Sequence, residues 1–168
     1  GEVLQNKLNY WKGKLKGVGA LQLPVDYPRP PVQSIRGAEK KISFDRELSL
    51  RLKELSQSHD ATLFMTLLSG LNVLLQRYSG QQDICVGTAV ANRGQENIEG
   101  LIGFFVNTLA IRCEVNENIA FTELLQQVKN TTIEAYAHQD VPFEKMVEVV
   151  VKERDLSRTP LFQVMLIL

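Results

Sequence analysis

One segment constrains the fold more than any other, because it is predicted to form a helix that is apolar on most of its sides. The segment runs from Thr62, which suits a helix N-cap, to Tyr78, after which Ser79-Gly80 provide a stop. Its apolar residues are Leu63, Phe64, Met65, Leu67, Leu68, Leu71, Val73, Leu74 and Leu75. A helix of this composition is buried on several faces, so other elements must cover it.

Helices and strands are both predicted along the rest of the chain. Helices are expected at Leu4–Leu15, after the N-cap Asp45, at Phe121–Ala137 and from Pro142 to about Lys152. Strands are expected at Ala38–Phe44, Asp83–Val90, Leu101–Val115 (broken at Gly103) and Leu161–Leu168. The proline-rich stretch Leu23–Pro31 predicts an extended connector, because prolines break helices and central strands. This mixture indicates an α/β or α+β class with one compact lobe.

Composition excludes several classes of protein. The 168 residues suffice for one ordinary domain or part of a larger one, and a hydrophobic content of 44% excludes simple disorder. Lys+Arg and Asp+Glu both number 19, so the basic footprint of a nucleic-acid-binding protein is absent. Apolar runs such as Val147–Val151 are too short to cross a membrane.

The cysteine content indicates a reducing compartment. Cys85 and Cys113 are the only two cysteines. Two cysteines exclude a disulfide scaffold and a four-cysteine zinc site, and they favour reduced thiols in the cytoplasm.

The ends of the sequence predict a piece of a longer polypeptide. The chain starts at Gly1 without a visible signal peptide, and it ends with the apolar run Leu161–Leu168. Natural domain ends are usually exposed and polar, so an excised fragment is our expectation. A buried C-terminal strand is the alternative.

No self-contained catalytic motif is present. The phosphate-binding patterns GxxxxGK[ST] and GxGxxG and the hydrolase elbow GxSxG do not occur. His59 and His138 lie far apart and lack neighbouring metal ligands, so no metal site is predicted. A hydrolase with paired carboxylates stays open on sequence grounds.

An Asn-Thr pair lies inside the apolar segment Ile102–Thr108. A buried polar side chain must find hydrogen-bond partners or it costs a few kcal/mol. Asn107 and Thr108 therefore either line a site or belong to a strand that bulges at Gly103 and satisfies the amide. The residues alone leave both interpretations open.

The segment His138–Glu144 also has two interpretations. His138 could act as a general base near neutral pH. We favour a corner between two helices, in which Gln139 and Asp140 cap the helix that begins at Pro142.

The segment Arg154–Leu161 carries two arginines around an aspartate and a serine. Arg154 and Arg158 could clamp an anion. We favour a loop that Asp155 and Ser157 tie through local ion pairs and side-chain caps.

These three segments, in this order, resemble the condensation domains of nonribosomal peptide synthetases. Motifs of that family read approximately [IV]GxFVNT, [HN]QD[YV]PFE and RDxSRxPL. The chain has IGFFVNT at Ile102–Thr108, HQDVPFE at His138–Glu144 and RDLSRTPL at Arg154–Leu161. Tyr10-Trp11 and the connector Leu23-Pro24-Val25-Asp26 are also similar to family sequence.

The resemblance implies a lobe of the chloramphenicol-acetyltransferase-like fold, with a mixed sheet packed against helices. Residues 1–168 then form a single partial domain, the C-terminal lobe. Within it, residues 1–31 are an inter-lobe helix and proline-rich connector. Residues 32–168 are the lobe core, truncated at its C-terminal end.

The implied reaction is peptide-bond formation between aminoacyl or peptidyl thioesters that are tethered to carrier proteins. The chain itself is expected to bind no cofactor, since its substrates would arrive on the phosphopantetheine of the carrier proteins. The implied partners are the N-terminal lobe, the donor and acceptor carrier proteins and an adjacent adenylation domain. An isolated lobe would expose apolar surface and could self-associate.

The resemblance also indicates which residues face the substrate tunnel. Asn107 and Thr108 match the motif pair that the family places toward it, and Gly103 and Phe105 are expected to shape that strand. A second group matches motif positions that are structural in the family: His138, Asp140, Pro142, Arg154, Asp155 and Arg158.

No catalytic residue is transferred from the family. Its HHxxxDG motif would lie in the other lobe, and this chain has no His-His pair. The fragment is therefore expected to be inactive alone, although its parent domain would be an enzyme. A non-catalytic docking module is the alternative. A sister enzyme of the same fold, either an epimerisation domain or a polyketide-associated acyltransferase, is a third hypothesis. The forms of the FVNT and HQDVPFE segments argue against an epimerisation domain.

Overall fold

The computed structural model describes residues 2–91, 106–153 and 155–168. The helices are α1 (Glu2–Lys14), α2 (Arg46–Ser58), α3 (Leu63–Ser79), α4 (Phe121–Ala137) and α5 (Phe143–Val150), and the strands are β1 (Asp83–Val90) and β2 (Asn107–Glu114). Helices combined with a small sheet confirm the predicted α/β or α+β class. Part of the predicted loop at 91–100 and the start of the predicted strand at 101–115 lie outside these ranges.

Helix α3 occupies the position that its apolar sequence requires. It packs against α2, α4 and β1, and Met65, Leu68 and Leu75 are buried. The predicted caps are confirmed, because the Met65 N–H donates to Thr62 Oγ1 (3.2 Å) and Gly80 ends the helix at a φ of 69°. Positive φ is the conformation in which glycine costs least.

The sheet combines one antiparallel pair with one parallel bridge. Strands β1 and β2 run antiparallel, with Ile84 opposite Cys113 and Val86 opposite Ile111. On the other edge of β1, the Gly87 N–H donates to the Val164 carbonyl and the Leu166 N–H donates to the Gly87 carbonyl, both at 2.9 Å. Within the described residues the sheet is therefore a small antiparallel pair with one parallel bridge, and the mixed sheet that the resemblance implied is present only to that extent.

Of the predicted strand Leu161–Leu168, only this single bridge between Gly87 and Met165 forms. Leu161 has a φ of 69°, and the Phe162 N–H donates to the Pro160 carbonyl (2.9 Å). A turn of this kind takes the first residues of the segment out of strand geometry.

The predicted strand Ala38–Phe44 was wrong for the described residues. All of it is exposed and irregular, and its backbone groups have no hydrogen-bond partner in the described ranges. Sequence alternation favours a strand, but a strand needs a neighbour to supply its ladder.

The core lies between the sheet and the helices. Its largest fully buried side chains include Trp11 from α1, Leu15 directly after that helix, Leu68 from α3, Leu109 and Ile111 from β2, Leu125 and Val128 from α4, and Met146 from α5. Helix α1 therefore contributes a buried side chain, Trp11, to this core. None of the helices in the described ranges is both long and apolar enough to cross a membrane.

The close approach of Phe162 to Gly87 gives a prediction about stability. A Cβ atom at Gly87 would lie 2.7 Å from Phe162 Cδ2, so Gly87→Ala overpacks the contact between β1 and the C-terminal segment. We expect a loss of about 1–3 kcal/mol in the free energy of unfolding, measured by urea denaturation.

Gly70→Ala is the matched control. Gly70 lies exposed in α3, and a Cβ atom there would meet nothing within 4 Å. That variant should gain about 0.5–1 kcal/mol, because alanine favours helix. Equal effects of the two substitutions would contradict the proposed clash.

Candidate functional site

Two of the three motif segments that the sequence singled out meet at one place, together with Tyr10-Trp11, and we call this place the motif junction. It comprises Tyr10 and Trp11 on α1, Asn107 at the start of β2, and the corner 138–143 that joins α4 to α5. These parts are separated by up to 133 residues in sequence, as the pair Lys7–Asp140 illustrates. The tertiary structure brings them into direct contact.

The side chain of Asn107 forms the centre of the junction. Its Nδ2 donates to the carbonyls of Gln139 and Val141, each at 2.7 Å. Its Oδ1 accepts from the Phe143 N–H at 3.1 Å. The half-buried amide thus binds three backbone groups of the corner, and this satisfies the polar group that the sequence placed inside an apolar strand.

Helix α1 contacts the same corner from its other side. The Trp11 Nε1–H donates to the His138 carbonyl (3.1 Å), and Lys7 Nζ lies 2.8 Å from the Asp140 carboxylate. The Tyr10 ring stacks on the His138 ring with centroids 3.8 Å apart and an interplanar angle of 7°. Aromatic, hydrogen-bonding and ionic contacts therefore hold α1 to the corner.

The predicted capping of α5 by Gln139 and Asp140 was wrong. Pro142 is the N-cap, and its side chain makes no capping hydrogen bond. Asp140 is turned toward Lys7, and the amide oxygen of Asn107 accepts the N–H of Phe143 at the first turn of the helix. A long-range side chain thus replaces the local cap, and α5 ends at Val150, earlier than the predicted Lys152.

The surroundings of His138 fit a helix corner. Its Nδ1 lies 2.8 Å from the Glu134 carbonyl, which belongs to the last turns of α4. Tyr10 covers the face of the ring. The described residues contain no group of His, Cys, Asp or Glu that could hold a metal ion.

Burial, reinforced by a nearby carboxylate, keeps the Tyr10 hydroxyl protonated. Burial, and then the nearby Glu134 carboxylate, raise the pKa of Tyr10 to about 12. Glu134 is itself paired with Lys14 at 2.9 Å. Tyr10 therefore acts as a neutral stacking partner at physiological pH.

The loop around Asp155 is held by hydrogen bonds and an ion pair between residues that are close in sequence. Asp155 Oδ1 accepts from the N–H and the hydroxyl of Ser157 at 2.8 and 2.6 Å, and Arg158 Nε lies 2.7 Å from Oδ2. The Ser157 hydrogen bonds, and secondarily the charge of Arg158, lower the pKa of Asp155. This geometry agrees with the favoured interpretation of local ties. Arg154 lies outside the described residues.

The tunnel-lining candidates stay predictions. Gly103 and Phe105 lie outside the described residues. Thr108 is half-buried, and its hydroxyl makes no hydrogen bond in the part of the chain that the structure describes. Unlike Asn107, it has a polar group that a ligand could still engage.

An open groove lies beside the junction, between α1, α5 and residues 152–153 and 155–163. It measures about 1220 Å³ and is largely apolar. Its lining includes the apolar residues Leu15, Phe143, Val147, Val150 and Leu161 and the basic residues Lys12 and Lys16. Neither Asn107 nor Thr108 lines it, so the sequence-based candidates and this groove are different surfaces.

Arg112 is an organising residue that the sequence reasoning missed. Its Nε and Nη2 donate to the two Asp83 oxygens at 2.7 and 2.8 Å. Its Nη1 donates to the carbonyls of Lys14 and Lys16 at 3.0 and 2.9 Å. The Asp83 hydrogen bond raises the pKa of this guanidinium further above its usual range. An arginine inside an apolar strand was the available sequence signal.

We predict that Asn107→Ala destabilises the lobe by about 1–3 kcal/mol, because it leaves polar groups of the corner without partners. Urea denaturation measures the effect. Thr108→Val is the control, since it removes a hydroxyl without a described partner and keeps the shape. An Asn107→Ala variant as stable as Thr108→Val would contradict the role assigned to the amide.

The two cysteines give a second prediction. Burial raises the pKa of Cys85 to about 12 and that of Cys113 to about 11. The folded thiols are therefore neutral at pH 8, and a disulfide reagent such as Ellman's should modify the urea-unfolded chain but not the folded one. Because unfolding returns these pKa values toward 9.0, stability should be lost as pH rises from about 9 to 12.

Rapid modification of the folded chain at pH 8 would contradict the burial of the two thiols. A Cys85→Ala variant assigns any residual reaction to Cys113. The same burial argues against a nucleophilic role for either thiol.

Comparison with known proteins identifies relatives among peptide synthases. Three proteins of the linear gramicidin synthase of Brevibacillus parabrevis are 51%, 54% and 52% identical over 100% of this chain, which spans 3%, 3% and 2% of them. Surfactin synthase subunit 1 of Bacillus subtilis (strain 168) is 48% identical over 93% of the chain, which spans 4% of it. The chain thus covers a small part of these relatives.

Solved structures share its fold. A four-domain nonribosomal peptide synthetase, holo-AB3403 bound to AMP and glycine, matches with a TM-score of 0.91 and 32% identity over 96% of this chain and 12% of that one. The X-domain from teicoplanin biosynthesis matches with a TM-score of 0.90 and 29% identity over 97% of this chain and 36% of that one.

These matches confirm the expected chloramphenicol-acetyltransferase-like fold. The family model that matches is that of the condensation domain, and it covers residues 1–168. The chain therefore belongs to the condensation-domain family.

Proposed function

We propose that this chain is part of a condensation domain that forms peptide bonds in nonribosomal peptide synthesis. The observation that carries the proposal is the family match over all of residues 1–168. Relatives that are named as peptide synthases and about half identical in sequence support it.

In the proposed reaction, an acceptor amine attacks the carbonyl carbon of a donor thioester. The C–N bond forms and the C–S bond breaks, so the donor chain moves to the acceptor amine. The amine loses a proton, and the thiol of the donor's phosphopantetheine arm is released. Both substrates would arrive on carrier proteins, and their positioning would supply much of the rate acceleration.

The role proposed for this chain is to build and hold one wall of the reaction chamber. The motif junction fixes β2, the corner 138–143 and α1 relative to one another through directed hydrogen bonds. Thr108 follows the anchored Asn107 on β2, so its hydroxyl, which has no partner among the described residues, would have a defined position. The acid–base group is assigned to the HHxxxDG motif of the other lobe.

The proposed partners follow from this role. They are the N-terminal lobe, the donor and acceptor carrier proteins and an adjacent adenylation domain. The isolated lobe is expected to self-associate through its exposed apolar side chains. A cytoplasmic location is proposed as well, in line with the free, buried cysteines.

A docking module is the second candidate function. The observation that favours it is the TM-score of 0.90 to an X-domain whose solved structure is a complex with OxyB. On this alternative, the lobe would bind a protein partner without turning over a thioester.

The test uses the complete condensation domain that contains this chain, with loaded donor and acceptor carrier proteins. Intact-protein mass spectrometry should detect a dipeptidyl thioester on the acceptor carrier. Binding of both carriers without product would overturn the proposed reaction and support the docking module.

Thr108→Val in the same domain tests the tunnel wall. If Thr108 lines the tunnel, turnover should fall at least about 5-fold, which corresponds to one lost hydrogen bond of about 1 kcal/mol, while the melting temperature stays unchanged. Thr122→Val, in the first turn of α4 and exposed, is the matched control. Unchanged turnover in Thr108→Val would remove Thr108 from the tunnel wall.

A further inference from the structure

The side chain of Asn72 is a buried polar group that takes no part in the motif junction. Asn72 lies within α3 and is fully buried. Among the described residues, neither its Nδ2 nor its Oδ1 has a hydrogen-bond partner. A buried amide without a partner destabilises the folded state, because it has given up its hydrogen bonds to water. The side chain therefore requires a partner that the described part of the chain does not supply.

Asn72 lies where α3, β2 and α4 come together. Helix α4 packs against both α3 and β2. Burial raises the pKa of Cys113, on β2, to about 11. The charge of Lys14 and the side chains of Thr131 and Asn72 oppose this rise. The amide on α3 and the hydroxyl on α4 therefore both lie near the same buried thiol.

The three side chains are near one another without a direct hydrogen bond from the amide. Asn72 is close enough to Cys113 to act on its thiol, but neither of its amide atoms is hydrogen-bonded to the sulfur or to Thr131. Polar groups that face each other beyond hydrogen-bond distance are the arrangement that a bridging water completes.

Further buried hydroxyls lie on the same two helices. Ser69 is three residues before Asn72, so it lies on the same side of α3, and it is fully buried. Its hydroxyl donates to the Met65 carbonyl at 2.8 Å, and the buried Thr132 hydroxyl on α4 donates to the Val128 carbonyl at 2.7 Å. Both protons are used, but the hydroxyl oxygens can still accept. The interior of the lobe is therefore not purely apolar in this region.

We propose that Asn72 forms an internal water-binding site between α3, β2 and α4. The bound water hydrogen-bonds the Asn72 amide and the side chains of Cys113 and Thr131. Water suits these groups because it both donates and accepts, and a buried water typically makes about three hydrogen bonds. Globular proteins hold roughly one buried water per 27 residues, so a domain of this size is expected to contain several.

The chemistry of the side chains favours water over an ion. The amide, the hydroxyl and the thiol are all neutral at physiological pH, and a buried ion requires a charged partner. Lys14, whose charge acts on Cys113, is already paired with Glu134 at 2.9 Å. The described residues also contain no group of His, Cys, Asp or Glu that could hold a metal ion.

This inference goes beyond the proposed function and does not rest on it. An internal water would join β2 to both helices whether the domain forms peptide bonds or only binds a partner. Its test observes the water itself, so its failure is distinguishable from a failure of the peptide-bond assay.

A high-resolution crystal structure of the complete condensation domain tests the proposal directly and needs no variant. The expected result is an ordered water within hydrogen-bond distance of an Asn72 amide atom and of Cys113 or Thr131. An Asn72 amide that hydrogen-bonds only to protein groups would overturn the proposal, and so would an amide with no ordered water beside it.

Magnetic relaxation dispersion of oxygen-17 water counts the long-lived internal waters in solution. In the complete domain, Asn72→Leu should lower this count by about one, because leucine offers the water no hydrogen bond. Asn130→Leu is the matched control, since Asn130 lies exposed on α4, and it should leave the count unchanged. Equal counts in the unmodified domain and in a folded Asn72→Leu variant would contradict the site. If that variant does not fold, the crystal structure of the unmodified domain decides.

Discussion

A polar side chain in a buried strand is stable only when all of its hydrogen-bonding groups find partners, and Asn107 meets that requirement through backbone groups that lie far away in sequence. Its amide binds two carbonyls and one N–H of the corner between α4 and α5. Each such hydrogen bond contributes about 0.5–1.5 kcal/mol to the stability of the folded state, and loss of one partner leaves the other polar group without a hydrogen bond. The start of β2 and the start of α5 are therefore fixed by the same side chain.

Helix α1 depends on this fixed corner. Trp11 donates to a corner carbonyl, while Tyr10 covers the His138 ring. Arg112 joins the other end of α1 to the sheet, because it binds Asp83 and the last carbonyls of the helix region at once. The first helix is therefore held to the lobe from its middle to its C-terminal end.

The motif side chains in the described part of this chain have structural roles, which are distinct from the catalytic chemistry of the family. The side chains of Asn107 and Asp140 and the ring of His138 are engaged with the lobe itself. Both thiols are buried, and burial favours their neutral forms. The described part of the chain thus provides a scaffold with open surfaces, which agrees with a lobe that acts together with the rest of its domain.

The sequence by itself determined the elements whose signals are local. The bounds of β1 and α4, the Thr62 cap and the Gly80 stop were predicted correctly, since periodicity, capping side chains and glycine conformation act within a few residues. The tertiary structure decided where long-range partners replace local ones. It assigned the cap of α5 to Asn107, and among the described residues it gives residues 38–44 no strand partner, because a hydrogen bond between distant segments depends on the packing of whole elements.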